Sequence, residues 1–395
     1  GDAAPAAPRR RRASAARANG GGLVNRRMLR SIALRLLGLA AGLGASALVM
    51  LATGNNVGGF IDAIGAGFGT NLDSTLRWFA PLLLAGVAGV IAFRDGAFNL
   101  GLDGQIYLGA AASSIVALGI GRELDPVFGI ALAIAAAMAA GAAVAGVCAL
   151  LRLWFGTPEV ITTLVMNPLC AIVVTLLVTG PLAPTGAAGN TESSAVIPEQ
   201  LQLASLAPNS LATAAVPIAL AVVAIVAVYY RFTLWGFESR LFGAAPSFSF
   251  YAGVPNVRVF LRAMLVSGGI AGLVGATEVL GVQHRLAKGF NPGLGFDGIA
   301  VALVAGLSVV ALIGVAFLFA LLRQAGEVSQ ITLGIPSELV DVMIALIILT
   351  TSAHLVVHWS ARRRIGRPPR PSGERPPTDA PPTEHRTETT ESLTP

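Results

Sequence analysis

Residues Phe93 to Ala110 read FRDGAFNLGLDGQIYLGA, a polar, glycine-rich break between apolar stretches. Hydrocarbon offers no hydrogen-bond partners, so a spanning backbone must satisfy its own N–H and C=O groups. Gly96, Gly101 and Gly104, beside Asn99, Asp103 and Gln105, therefore call for a loop, a water-lined cavity or surrounding protein. Polar groups held at membrane depth lean towards function. The plainer reading is a loop joining two spans.

Working outward, the 395 residues are 54% hydrophobic and only 12% charged, with 46 glycines. A soluble domain carries about 25% charge, so the chain reads as an all-α polytopic membrane protein. The formal net charge of +6 does not argue for nucleic acid, because the arginines lie in tails and short loops with few aromatics among them. Cys148 and Cys170 each fall within an expected span and read as packing residues rather than a disulfide framework.

Residues 1–30 combine Arg9 to Arg12, Arg17, Arg26, Arg27 and Arg30 with Ala, Pro and Gly, and read as a disordered basic cytoplasmic tail. Residues 362–395, rich in Pro, Thr and Glu, read as a second such tail. The transmembrane core is expected at residues 31–361. Within it, apolar stretches near the ~20 residues that a bilayer requires place spans at 33–53, 77–93, 105–120, 127–152, 160–179, 213–230, 259–280, 297–307, 309–323 and 338–358. Ten spans with both termini inside follow from dense arginine in the first tail, in 231–262 and in 362–364. The stretches 54–76 and 180–213, which contain neither Lys nor Arg, are then expected outside. Arg122, Arg285, Lys288 and Arg323 stand against this scheme.

An internal echo supports a repeat. Phe98, Asn99, Gly101, Leu102, Asp103 and Gly104 recur as Phe290, Asn291, Gly293, Leu294, Asp297 and Gly298, with two extra residues before the aspartate. In the ten-span scheme the copies fall on opposite membrane faces, as an inverted five-helix repeat with short or broken helices requires.

A charge at mid-bilayer costs about 2.5–3.5 kcal/mol, so Asp103, Glu159, Glu278, Asp297 and Asp341 are expected at rims or facing a protein-lined cavity. Asp103, Asp297 and Glu159 begin spans, where a carboxylate can cap free N–H groups. Asn99, Gln105, Asn167 and Asn291 are candidates for a solute pathway together with Asp103 and Asp297, since an amide offers donor and acceptor together. Asn167 precedes Pro168, which removes a backbone hydrogen bond inside a span. Enzyme motifs are lacking: the single lysine, Lys288, is followed by Gly289, so there is no Walker A loop. His354 and His358 lack the glutamate of a zinc protease motif. The segment from Tyr229 to Arg262, carrying Trp235, Phe237, Phe242, Phe248, Phe250 and Tyr251, is a candidate docking loop with a short helix around 237–251.

The opening segment, with GTPEVITTLVMN (Gly156 to Asn167), RLFGAAPSFSFYAGV (Arg240 to Val254) and GFDGIAVALVAG (Gly295 to Gly306), resembles the permease family of bacterial ABC importers for simple sugars and nucleosides. Departures are Asp103 for a usual Glu, Pro158 for a usual Asn, and Ala245, Ser247, Phe248 and Ser249 in the third motif. The resemblance implies that Arg240, Gly243, Pro246, Tyr251, Ala252 and Gly253 meet a cytoplasmic ATPase. It also implies a second, dissimilar permease, an external substrate-binding lipoprotein and a location in the bacterial cytoplasmic membrane. No cofactor is expected on this chain, and ATP and Mg belong to the ATPase. Nucleosides are the favoured cargo because the chain is most similar to the larger permease of nucleoside importers. Ribose or galactose is the nearest alternative. A different class, an ion-coupled secondary transporter, also uses broken helices but needs intramembrane acids.

Overall fold

The computed structural model describes residue 37 and residues 40–350, except 55, 185–191, 209, 292, 336–338, 340, 344, 347 and 348. The tails, His354, His358 and the end of the expected tenth span lie outside the described residues. Among those described, the chain is helical, with isolated bridges in place of strands: α1 (Ala40–Ala52), α2 (Val57–Phe68), α3 (Leu72–Arg94), α4 (Leu102–Leu118), α5 (Pro126–Phe155), α6 (Glu159–Thr179), α7 (Ala215–Phe232), α8 (Leu234–Ala244), α9 (Pro246–Tyr251), α10 (Asn256–Glu278), α11 (Leu294–Val304) and α12 (Val309–Leu333). Six of these (α3, α5, α6, α7, α10 with its π-helical extension to Gln283, and α12) are long and apolar enough to cross a membrane.

Local chemistry sets several boundaries. Asp125 accepts from the Val127 N–H, Pro126 opens α5, and left-handed Gly156 closes it, the usual N-cap, N1 and C′ chemistry. Thr233 caps α8 by accepting from the Gly236 N–H at 3.0 Å.

Burial separates an inner pair from an outer ring. α3 and α10 are buried along most of their length, whereas α5, α6 and α7 leave most of their residues at least partly exposed, as a lipid-facing or partner-facing surface does. The inner crossing depends on Gly272 of α10, which lies against the Ala137 carbonyl and Gly141 of α5, with Gly109 of α4 on its own backbone. Small residues let membrane helices approach this closely.

Two expectations are corrected. The stretch 54–76 is not a plain loop: α2 occupies much of it, burying Phe60, Ala63 and Gly67 at helical spacing, with its glycines against Leu333, Leu321 and Gln324 of α12. Glycine and Asp62 had diluted its apolar signal. The span expected at 309–323 continues to Leu333, because Arg323 and Glu327, which read as a charged end, have partners inside the bundle. The two echo copies meet at their first turns. The long segment 180–213 packs on the chain after α10 through backbone bonds from Ser194 to Leu286, Ile197 to His284 and Leu203 to Leu280.

Gly272→Val would overpack the α4–α5–α10 crossing, at a cost of about 1–3 kcal/mol. Thermal denaturation of the purified protein should show a lowered midpoint, and an unchanged midpoint would contradict the crossing.

Candidate functional site

The first turns of α4 and α11 meet end to end. Asp103, in the first turn of α4, accepts from the Gly295 backbone N–H and from Asn291 Nδ2, each at 2.8 Å. Asn291 Oδ1 in turn accepts from the Leu294 N–H at 2.8 Å, closing the start of α11. Tyr107 donates to the Asn291 carbonyl at 3.3 Å, and its ring meets Phe290 edge-on at 5.2 Å. Each helix N-terminus carries roughly half a positive charge. Asp103, only 6% exposed, places a carboxylate where two such ends converge.

The chain that leads into α4 is braced from α6 and α10. Asn99 and Gln105 form a reciprocal amide pair, with both bonds at 2.9 Å, and Asn99 Nδ2 also donates to Ser267 Oγ at 3.0 Å. The Gly101 N–H donates to Asn99 Oδ1, and the Leu100 N–H to Thr163 Oγ1. Asn167 closes the gap from both sides: its Nδ2 donates to the Leu100 carbonyl at 3.0 Å and its Oδ1 accepts from the Gly104 N–H at 2.9 Å. The broken backbone is thus satisfied by protein, as hydrocarbon requires. Asn99 and Gln105 are fully buried, whereas Asn167 remains partly exposed.

Asp297 leads away from this junction. It pairs with Arg323 of α12 at 2.6 and 3.1 Å, and Arg323 also reaches Asp341 at 3.1 Å. A second pair, Arg77 of α3 with Glu278 of α10, lies at 3.3 Å. Trp78 joins the two: the Arg77 guanidinium stacks 3.8 Å from its ring centroid, that of Arg323 lies at 5.9 Å, and its indole N–H donates to Glu327 at 2.8 Å. Arg77, Trp78, Ser267 and Thr163 escaped the sequence reading, and Arg323 read as a surface exception. The available signal was oppositely charged residues within apolar helices, which membrane insertion penalises unless they pair.

At the other end of α3, the candidate docking loop contacts the same chain segment. Gly243 of α8 packs on the Arg94 carbonyl so closely that any Cβ would collide with it. Asp95, one residue beyond α3 and 1% exposed, accepts from Tyr230 Oη at 2.8 Å. Desolvation pushes its carboxyl up to about 6, against the pull of hydrogen bonds from Tyr230 and Ser239. Arg94 lies over the Tyr230 ring at 4.3 Å. Arg240 folds back on its own helix, donating to the Gly236 carbonyl. Pro246 opens α9, and beyond it Phe248, Phe250 and Tyr251 stand exposed, followed by exposed Ala252 and by Gly253 with φ of 78°. Glu159, at the start of α6, pairs with Arg152. Cys148 and Cys170 are buried and free. No cluster of metal-ligating side chains occurs among the described residues.

Residues 71–352 match the family described as the permease component of branched-chain amino acid transport systems. The chain belongs to that family, and is a permease subunit of an ABC importer. It is 33% identical to a guanosine ABC transporter permease of Bacillus subtilis, over 82% of this chain and 94% of the relative. A nucleoside ABC transporter permease of Lactococcus lactis is 29% identical over 83% and 92% respectively. A glucose ABC transporter permease of Haloferax volcanii is 33% identical over 73% and 77%. No solved structure matches the chain.

Removing one member of the Arg77–Glu278 pair, as in Arg77→Met, strands a buried charge and should cost about 3–5 kcal/mol, whereas Arg77→Met with Glu278→Leu should recover much of it. Thermal stability of the three proteins measures this. Equal losses in the single and double variants would contradict the pairing.

Proposed function

We propose that this chain forms half of an ATP-driven import pathway for nucleosides. The observation that carries the substrate reading is near full-length similarity to permeases named for guanosine and nucleosides. The glucose permease, as similar in identity but matched over less of either chain, makes sugars such as ribose or galactose the second reading.

In this proposal the pathway passes the junction of α4 and α11. Asn167, its partly exposed member, and the partly exposed Asp297 two residues beyond Gly295 face the solute, while Asn99, Asp103, Gln105 and Asn291 hold the wall. Two helix N-termini that converge on one point are an arrangement an inverted repeat can produce, and the ten-span, two-fold scheme with both termini inside belongs to this proposal. The tails 1–30 and 362–395 then flank a 31–361 permease core in the cytoplasmic membrane.

α8 and α9 receive a cytoplasmic ATPase through Arg240, Gly243, Pro246, Tyr251, Ala252 and Gly253, and that subunit binds ATP and Mg. What supports this is the contact chain behind the loop: Gly243 rests on Arg94, five residues before Asn99. A displacement of α8 therefore reaches the junction through a short, packed segment. A second permease and a substrate-binding lipoprotein complete the assembly.

Uptake into vesicles holding the four-component complex tests the class. ATP-dependent guanosine uptake should persist when ionophores collapse the ion gradients, and uptake that disappears with the gradients would favour an ion-coupled transporter. Glucose or ribose taken up in preference to guanosine would replace the cargo but keep the class. Gly243→Val should leave ATP hydrolysis running while transport falls at least about tenfold, the effect of ~1.4 kcal/mol; normal transport would remove the α8 seat from coupling.

A further inference from the structure

A cavity of about 250 Å³ lies where α3, α7, α8 and α10 converge, lined by Ile91, Ile225, Val226, Ala263 and Val266, with the rings of Tyr229 and Trp235. Its walls are almost wholly apolar. Two side chains of the charged types border it, Asp95 and Arg262. Asp95 is committed to Tyr230. Arg262 is not fully used: its Nη2 reaches the Trp235 carbonyl, Ser239 Oγ and Glu238 only at 3.2, 3.4 and 3.5 Å, and its buried Nε has no partner. A guanidinium has five donors in a planar fork suited to phosphate.

The mouth opens on an exposed apolar surface of the bundle. Ile225, Val266 and Trp235 are 66%, 43% and 61% exposed, and Phe232 and Leu234 flank them, exposed as well. Tryptophan is enriched where hydrocarbon meets headgroups. Positive charge gathers at the same helix ends, with exposed Arg231 in the last turn of α7 and exposed Arg258 in the first turn of α10 beside Arg262, against the carboxyls of Glu238 and of Asp95, which is held by Tyr230. A soluble polar ligand would find almost nothing to bond within the cavity.

We propose that this cavity holds an acyl chain of an anionic phospholipid whose phosphate is met by Arg262 at the mouth. Basic pockets between membrane helices are known headgroup sites. The chain would fill the space beneath α8, packing the docking arm against α3. The inference rests on membrane immersion, and it stands whether the cargo is a nucleoside or a sugar.

The test uses the whole complex in vesicles with a phosphatidylglycerol carrying a photoactivatable group on one acyl chain. Label should appear in the peptides holding Ile225, Val226, Ala263 and Val266. Ala263→Trp, which fills the cavity, and Val266→Trp, which obstructs only its exposed mouth, should each remove most of it. Unlabelled phosphatidylglycerol should compete about fivefold better than phosphatidylcholine, the discrimination one arginine gives at an anionic surface, and Arg262→Gln should erase that preference. Label spread evenly over α5 and α6, or unmoved by both tryptophans, would overturn the site. Equal competition by the two lipids would overturn the role of Arg262. A cavity left unlabelled because the second permease covers it would overturn the proposal as a whole.

Discussion

One carboxylate where two helix N-termini meet is the constraint from which the rest of this architecture follows. Asp103 takes backbone and amide hydrogens from the start of α11 while it stands in the first turn of α4. Without it, two converging partial positive charges and several free N–H groups would face each other in a medium that cannot solvate them. The remaining polar residues of the site extend this solution: Asn291 closes α11, Asn167 closes the entry to α4, and the Asn99–Gln105 pair fixes the turn between them. Residues that read as a pathway are also the residues that make a broken backbone tolerable in the membrane.

This dual role decides how much the sequence could reveal. The break at 93–110, its echo at 290–298 and the short helix of the docking loop were legible because glycine and polar side chains interrupt apolar runs. Acids at span starts read correctly as first-turn residues at 103, 159 and 297, but none caps its own helix as expected: Asp103 serves the start of α11, Glu159 pairs with Arg152 and Asp297 with Arg323. What stayed hidden was long-range pairing. Hydropathy sees Arg323 as the end of a helix, since nothing local shows that Asp297, twenty-six residues earlier, neutralises it. It sees 54–76 as a loop, since the partner of α2, the far end of α12, lies more than 250 residues downstream. Opposite faces for the two echo copies followed from counting spans, and that count has no means of showing both breaks turning inward to meet.

The ends of α3 carry different kinds of contact. At one end the Arg77–Glu278 and Arg323–Asp297 pairs, joined across the Trp78 ring, bind α3, α10, α11 and α12 through charge that is costly to bury and more costly to strand. At the other end contact is by shape: Gly243 against Arg94, and Tyr230 on Asp95. A segment locked by ion pairs above and seated on a docking helix below transmits displacement along its length, because packed helices shift as units. In the chain the junction follows the seated end, and the start of α11 packs on the middle of α3 through Gly298 against Ala85.

The meeting of the two helix ends is tested most directly by disulfide formation between Asp103→Cys and Gly295→Cys in native membranes, since a bridge demands Cβ atoms about 3.5–4.5 Å apart. Native Cys148 and Cys170 are buried, free and outside this junction. The account predicts an intramolecular cross-link under mild oxidant, absent from either single variant. A folded double variant whose two thiols stay reduced while both react with a small thiol reagent would contradict it.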